Sequence, residues 1–142
     1  LLPACERGAP VNAQDVRHYR REDLVLMPDV DGACFWAVAL DHALLTYFEV
    51  DAHCAFPSHQ HESEQITHVL EGELYFVVND VEHRVAAGEV IAIPSQVPHA
   101  VYTRKCGARA VDAWSPVLPA YRRNAGAHVA AANPLPGVAH ER

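Results

Sequence analysis

No stretch of this sequence approaches the ~20 consecutive apolar residues of a membrane-spanning helix. Basic charge is scarce as well: 11 Lys and Arg stand against 18 Asp and Glu, a formal net charge of −7. Phosphate recognition needs a basic face, so a nucleic-acid partner is not expected, and no basic amphipathic run offers a membrane surface. Cysteine is sparse and scattered, with Cys5, Cys34, Cys54 and Cys106 and no C-x-x-C pair. That spacing reads as buried free thiols rather than a disulfide framework, which makes the cytoplasm the expected home. The opening Leu1-Leu2-Pro3 does not begin the charged-then-apolar pattern of a retained signal peptide. Amphipathic helices are missing too.

What the 142 residues do contain is short strands. Half the residues are hydrophobic, enough for one domain with a real core. Eight apolar runs, 34–40, 44–50, 66–70, 73–79, 83–87, 89–93, 99–103 and 108–114, are separated by Gly, Pro, Asn and Asp. Asn79-Asp80 between two of them is a tight hairpin signal. The pattern is that of an all-β antiparallel sandwich or barrel. Residues 1–23 are polar and mixed and read as a leader, 24–118 as the barrel, and the Pro- and Ala-rich 119–142 as a tail.

Histidine is abundant: there are 10, and His53, His59, His61 and His68 fall close together around the segment SHQHESEQ. Residues two apart on a strand share a face, so His59 and His61 would point the same way. Gln65 has their parity, whereas Glu62, Glu64 and His68 do not. An H-x-H pair can offer two imidazole nitrogens to one ion. A third ligand must come from the same face or a facing strand, and His99, after Pro98 at a strand start, is the best distant candidate.

These residues resemble the cupin family of small jelly-roll β-barrels. The family's first motif, G-x5-H-x-H-x(3,4)-E-x6-G, falls on His53, His59, His61, Gln65 and Gly72. Its second, G-x5-P-x-G-x2-H-x3-N, falls on Gly88, Pro94, Gln96, His99 and Thr103. His53, Gln96 and Thr103 replace two glycines and an asparagine, and Gln65 stands where many metal-binding members carry a carboxylate. The H-x-H-x2-E-Q variant is similar to a subgroup of small single-barrel cupins that includes the uronate-linearising cupin of pectin degradation. The resemblance implies a metal held by His59, His61, Gln65 and His99. Glu64 would reach the ion only through a bulge.

Three imidazoles and an amide leave a divalent ion its full charge, which favours Lewis-acid work on a carbonyl, hydroxyl or water. Zn, Ni, Fe or Mn suits such ligands. The subgroup also carries a late D-x-F-[ST]-P-x-R segment, which here reads Asp112, Ala113, Trp114, Ser115, Pro116, Val117 and Leu118. An Arg at the last position would suit a uronate carboxylate; Leu118 puts that substrate in doubt. Arg122 and Arg123 follow shortly. Asp112 is the candidate proton-transfer group, and Trp114, Tyr75 and Tyr102 are candidate pocket walls.

Function divides into two classes. One is a metal-dependent enzyme of isomerase, cyclase or lyase type acting on a small oxygenated metabolite, with a dioxygenase as its rival. The other is a non-enzymatic metal- or ligand-binding barrel, in which Asp112 would be dispensable. The leader is too short for a helix-turn-helix, which speaks against a regulator. The resemblance also implies a homodimer.

Overall fold

A computed structural model describes residues 16–122 of the chain, so residues 1–15 and 123–142, with Cys5 and Arg123, lie outside the described residues. Nine strands follow a single 3-10 turn at Arg21–Asp23: β1 Met27–Pro28, β2 Ala33–Ala39, β3 Leu44–Val50, β4 Ala55–His59, β5 Glu64–Val78, β6 Val81–Ala86, β7 Val90–Ile93, β8 His99–Tyr102 and β9 Ala108–Ser115. Every strand pairing is antiparallel. The architecture is the expected all-β jelly-roll barrel. No helix among the described residues is long and apolar enough to cross a membrane.

The long strand β5 joins two layers. Its first half pairs with β9 and β7, and its second half with β6 and β8. Two expected strands, 66–70 and 73–79, are therefore one. Glu71-Gly72 is not a turn between them but a bend, where the β5–β9 register shifts between Val69 and Glu71. Gly72 has φ +70, and a Cβ there would lie 2.0 Å from the Gly107 carbonyl oxygen. Only glycine allows this approach, because a side chain is strained at that φ and collides with backbone.

Alternation decides what is inside. In β3, Leu44, Thr46, Phe48 and Val50 are buried while the residues between them are not. In β9, Ala108, Ala110, Asp112 and Trp114 are the buried set. One apolar cluster gathers around Phe35, Phe48 and Trp114, a second around Val69, Phe76 and Val101, and Phe56 touches both. Tyr121, assigned by sequence to the tail, packs on Phe35 with ring centroids 4.9 Å apart and on Phe48 at 5.7 Å. Its hydroxyl donates to Asp29 Oδ2 at 2.9 Å. The barrel's packing thus runs past residue 118.

Asn79 and Asp80, at φ 50 and 62, form the expected tight turn between β5 and β6. His53 and Gln96, at the two motif positions where this chain replaces the family's glycine, keep left-handed backbone with φ 56 and 64. Of the thiols, Cys54 is buried and Cys34 intermediate, and both are free. Cys106 departs from the expected burial: it is exposed in the bend before β9, where no layer covers it.

Candidate metal centre

His59 ends β4, His61 follows in the connection to β5, and His99 begins β8 opposite His59 in the β4–β8 pairing. Gln96, in the turn before β8, donates its backbone N–H to the His61 carbonyl at 2.8 Å and so ties the two motifs together. The ring centroids are 4.4 Å apart for His59–His99, 5.0 Å for His61–His99 and 5.5 Å for His59–His61. One nitrogen from each ring falls within 4.8 Å of the other two.

The Nδ1 atoms show which nitrogens are free to ligate. His59 Nδ1 lies 2.7 Å from the Pro57 carbonyl, His61 Nδ1 2.8 Å from that of Ser63, and His99 Nδ1 2.8 Å from that of Val97. A carbonyl only accepts, so each Nδ1 carries the proton and donates. Each neutral ring then presents an Nε2 lone pair, the tautomer a metal requires. His99 Nε2 is buried and has no hydrogen-bond partner. Burial, reinforced by the neighbouring His59 and His61, lowers the His99 pKa, which favours the neutral ring.

Gln65 lies beside the three rings. Its Oε1 lies 3.2 Å from His61 Nε2. With His61 in the Nδ1–H form both atoms are acceptors, an arrangement that a cation beside them stabilises. The orphaned His99 nitrogen and this acceptor pair both fit a metal ion held by His59, His61, Gln65 and His99. Glu64 points the other way and is exposed, while Gln65 is buried.

A polar network fixes the Gln65 amide. Thr46 on β3 and Thr67 on β5 flank Asp112 on β9 in register. Thr67 Oγ1 donates to Asp112 Oδ1, and Thr46 Oγ1 donates to Oδ2 at 3.2 Å. A carboxylate offers no proton, so each threonine must spend its own on Asp112 and can then only accept. Thr67 accepts from Gln65 Nε2 at 3.0 Å, and Thr46 from Trp114 Nε1 at 2.9 Å. With its NH2 turned to Thr67, Gln65 turns its oxygen to the histidines. Burial pushes Asp112 up to about 6, partly countered by its bonds from Thr67, Thr46 and Gln65.

A cavity opens beside the histidines, lined by His59, Gln65, Thr67, Asp112, Trp114 and Tyr121 with apolar residues of both layers. The Trp114 ring stands edge-on to His61 at 5.3 Å. Tyr75 and Tyr102 lie elsewhere. Tyr75 points away from its cavity-lining neighbours Leu74 and Phe76, since strand residues alternate. It stacks on Tyr102 at 5.3 Å on the opposite face, beneath the Arg104 guanidinium at 4.2 Å. Neither tyrosine walls the metal-side cavity. His68 is exposed on the outer face and His53 in a loop. Sequence reasoning missed Thr46, Thr67 and Tyr121. The two threonines were detectable as polar residues at core parity, Tyr121 as a lone aromatic in a Pro- and Ala-rich stretch.

The model for the cupin domain matches residues 46–110. Among curated proteins none matches the chain. Of solved structures, KdgF from Halomonas sp. is 18% identical with a TM-score of 0.67, covering 73% of this chain and 98% of its own. An RmlC-like cupin from Shewanella frigidimarina is 21% identical with a TM-score of 0.68, covering 76% and 98%. The polyketide cyclase RemF from Streptomyces resistomycificus is 26% identical with a TM-score of 0.64, covering 74% and 82%. The domain match over residues 46–110, the antiparallel barrel and the three-histidine cluster agree: this chain carries a cupin domain.

Proposed function

We propose that this chain is a metal-dependent enzyme acting on a small oxygenated metabolite by isomerisation, cyclisation or lyase-type proton transfer. The observation that carries the reading is the set of three imidazoles, each locked by a backbone carbonyl with its Nε2 turned into the site. His59, His61, Gln65 and His99 would hold one divalent ion, Zn, Ni, Fe or Mn. Bound there, the ion supplies Lewis acidity toward a substrate oxygen without a ligand carboxylate to dampen it.

The rest is the work of the chain. Asp112 is the only carboxylate that lines the cavity among the described residues, and its role is to hold or move the substrate proton. Thr67 and Thr46 hold its two oxygens in place. Trp114 and Tyr121 wall the cavity with aromatic carbon, and a less polar wall strengthens charge interactions inside. A polyketide cyclase among the structural relatives supports the reaction class.

Elemental mass spectrometry of the untagged protein, followed by oxygen-uptake measurements, tests this. Close to one equivalent of metal and no oxygen consumption support it. Iron with oxygen-dependent turnover would replace it with the dioxygenase reading, and turnover undiminished in Asp112→Asn would remove Asp112 from the mechanism.

We further propose a homodimer, formed through the outer face of the sheet. Val38, Leu45, Ala113, Ile66 and Ala92 form one cross-strand row there, next to Trp36, Tyr47, Val111, His68 and Val90. Leu45, Ile66 and Val90 are exposed, and a contiguous apolar face of this kind is a usual site of association. The free thiols of Cys34, Cys54 and Cys106 support a cytoplasmic location.

A further inference from the structure

The cavity beside the histidines is polar on one side only. Its polar lining is His59, Gln65, Thr67 and Asp112, and the last three already bond to one another. The remaining wall is apolar and mostly aromatic: Phe48, Phe56, Phe76, Trp114 and Tyr121, with aliphatic residues between them. Four of these rings, Phe48, Phe56, Tyr121 and Trp114, form a connected surface. Phe48 meets Phe56 edge-on at 5.8 Å and Tyr121 at 5.7 Å, and Tyr121 meets Trp114 at 5.6 Å.

No Lys or Arg lines the cavity among the described residues. Arg122, one residue beyond Tyr121, donates through Nη2 to the carbonyls of Leu40 at 2.7 Å and Asp41 at 3.1 Å, which ties it to the β2–β3 turn. Leu118 packs against the apolar cluster that contains Phe48 and Trp114. The charged side chain inside is Asp112, which repels a second anion.

We infer that the cavity takes an uncharged aromatic or conjugated ring, anchored at one end by an oxygen function facing His59, His61 and His99. A sugar acid fails twice. Its distal carboxylate meets no cation, and its ring hydroxyls meet aromatic carbon or polar groups that already have partners. An aromatic ligand instead exchanges water for ring edges. The inference names the substrate class of the metal centre and rests on that reading for its oxygen anchor. The ring preference comes from the wall alone.

The test uses the full chain in zinc-loaded and metal-free forms. Three probes are titrated by calorimetry: 2-hydroxyacetophenone, which pairs two oxygens with an aromatic ring; acetoin, which has a similar oxygen pair and no ring; and D-galacturonate. In the zinc-loaded protein the aromatic probe should bind roughly tenfold tighter than either of the others, the scale of one or two ring contacts. Phe56→Ala and Tyr121→Ala should each weaken it without changing the circular dichroism spectrum. Tyr121→Phe should retain it, and serves if the alanine variant does not fold. Galacturonate or acetoin binding as tightly as the aromatic probe overturns the inference, as does an aromatic probe that binds neither form. A protein that retains no zinc but still prefers the aromatic probe overturns the metal reading and keeps the ring preference.

Discussion

Replacing Thr67 by valine removes one hydroxyl and almost no volume. Thr67 is 1% exposed, so water cannot stand in for the lost group. Two partners are stranded: the Gln65 Nε2–H loses its acceptor and Asp112 Oδ1 loses its donor. Leaving a buried polar group unpaired costs about 1–3 kcal/mol, so the pair should cost roughly 2–4 kcal/mol. For a chain of this size that is a fall in Tm of roughly 6–15 °C. The second effect is on the site. Thr67 accepts from the Gln65 NH2 and so helps turn the amide oxygen to His61, and loss of such an outer partner typically weakens metal binding about 10–100-fold. Competition against a chromophoric chelator reads the affinity, and a thermal melt of the metal-free protein reads the stability. Thr46→Val is the control. It strands Trp114 Nε1 and Asp112 Oδ2 instead, so it should destabilise similarly while leaving Gln65 and the metal affinity intact. Equal metal affinities in wild type and Thr67→Val, or equal losses in both valine variants, would refute the orientation argument.

Other outcomes follow from the same geometry. Glu64→Ala should leave metal affinity unchanged in the same chelator assay, because Glu64 points away from the histidines. Gly72→Ala should cost more than about 4 kcal/mol and abolish soluble expression, since its Cβ would lie 2.0 Å from the Gly107 oxygen. His53→Gly should stabilise by about 0.5–1 kcal/mol in a denaturant melt, the left-handed penalty at φ 56 less the entropy of glycine. Ile66→Glu should turn the proposed dimer into a monomer by light scattering, because it puts a charge in the middle of the outer apolar row.

Much of the fold was legible because the strands are half-buried. Leu44, Phe48 and Val50 alternate with outward residues, and that period is visible without coordinates. The hairpin at Asn79-Asp80 was legible because left-handed turns favour those residues. Strand β4 was not: Ala55–His59 contains Pro57 and does not alternate. It is an edge strand paired only to β8, where a missing N–H costs no bond. The bend at Gly72 read as a strand end because glycine marks turns and bulges alike. At the site, spacing singled out His59, His61, Gln65 and His99, which the barrel gathers from β4, the connection after it, β5 and β8. Tyr75 misled because its face depends on register across the bend in β5, which sequence does not fix; Tyr102, three residues after His99 on β8, has the opposite parity and faces away from the site. The threonine pair around Asp112 exists only through the order β3-β9-β5, a long-range pairing with no local signature.

Zinc K-edge X-ray absorption of the zinc-loaded, untagged protein tests the central claim most directly. A shell of three imidazoles and an oxygen donor at about 2.0–2.1 Å is expected, falling to two imidazoles in His99→Ala. Failure to bind zinc, or the same three-imidazole shell in His99→Ala, would contradict the account.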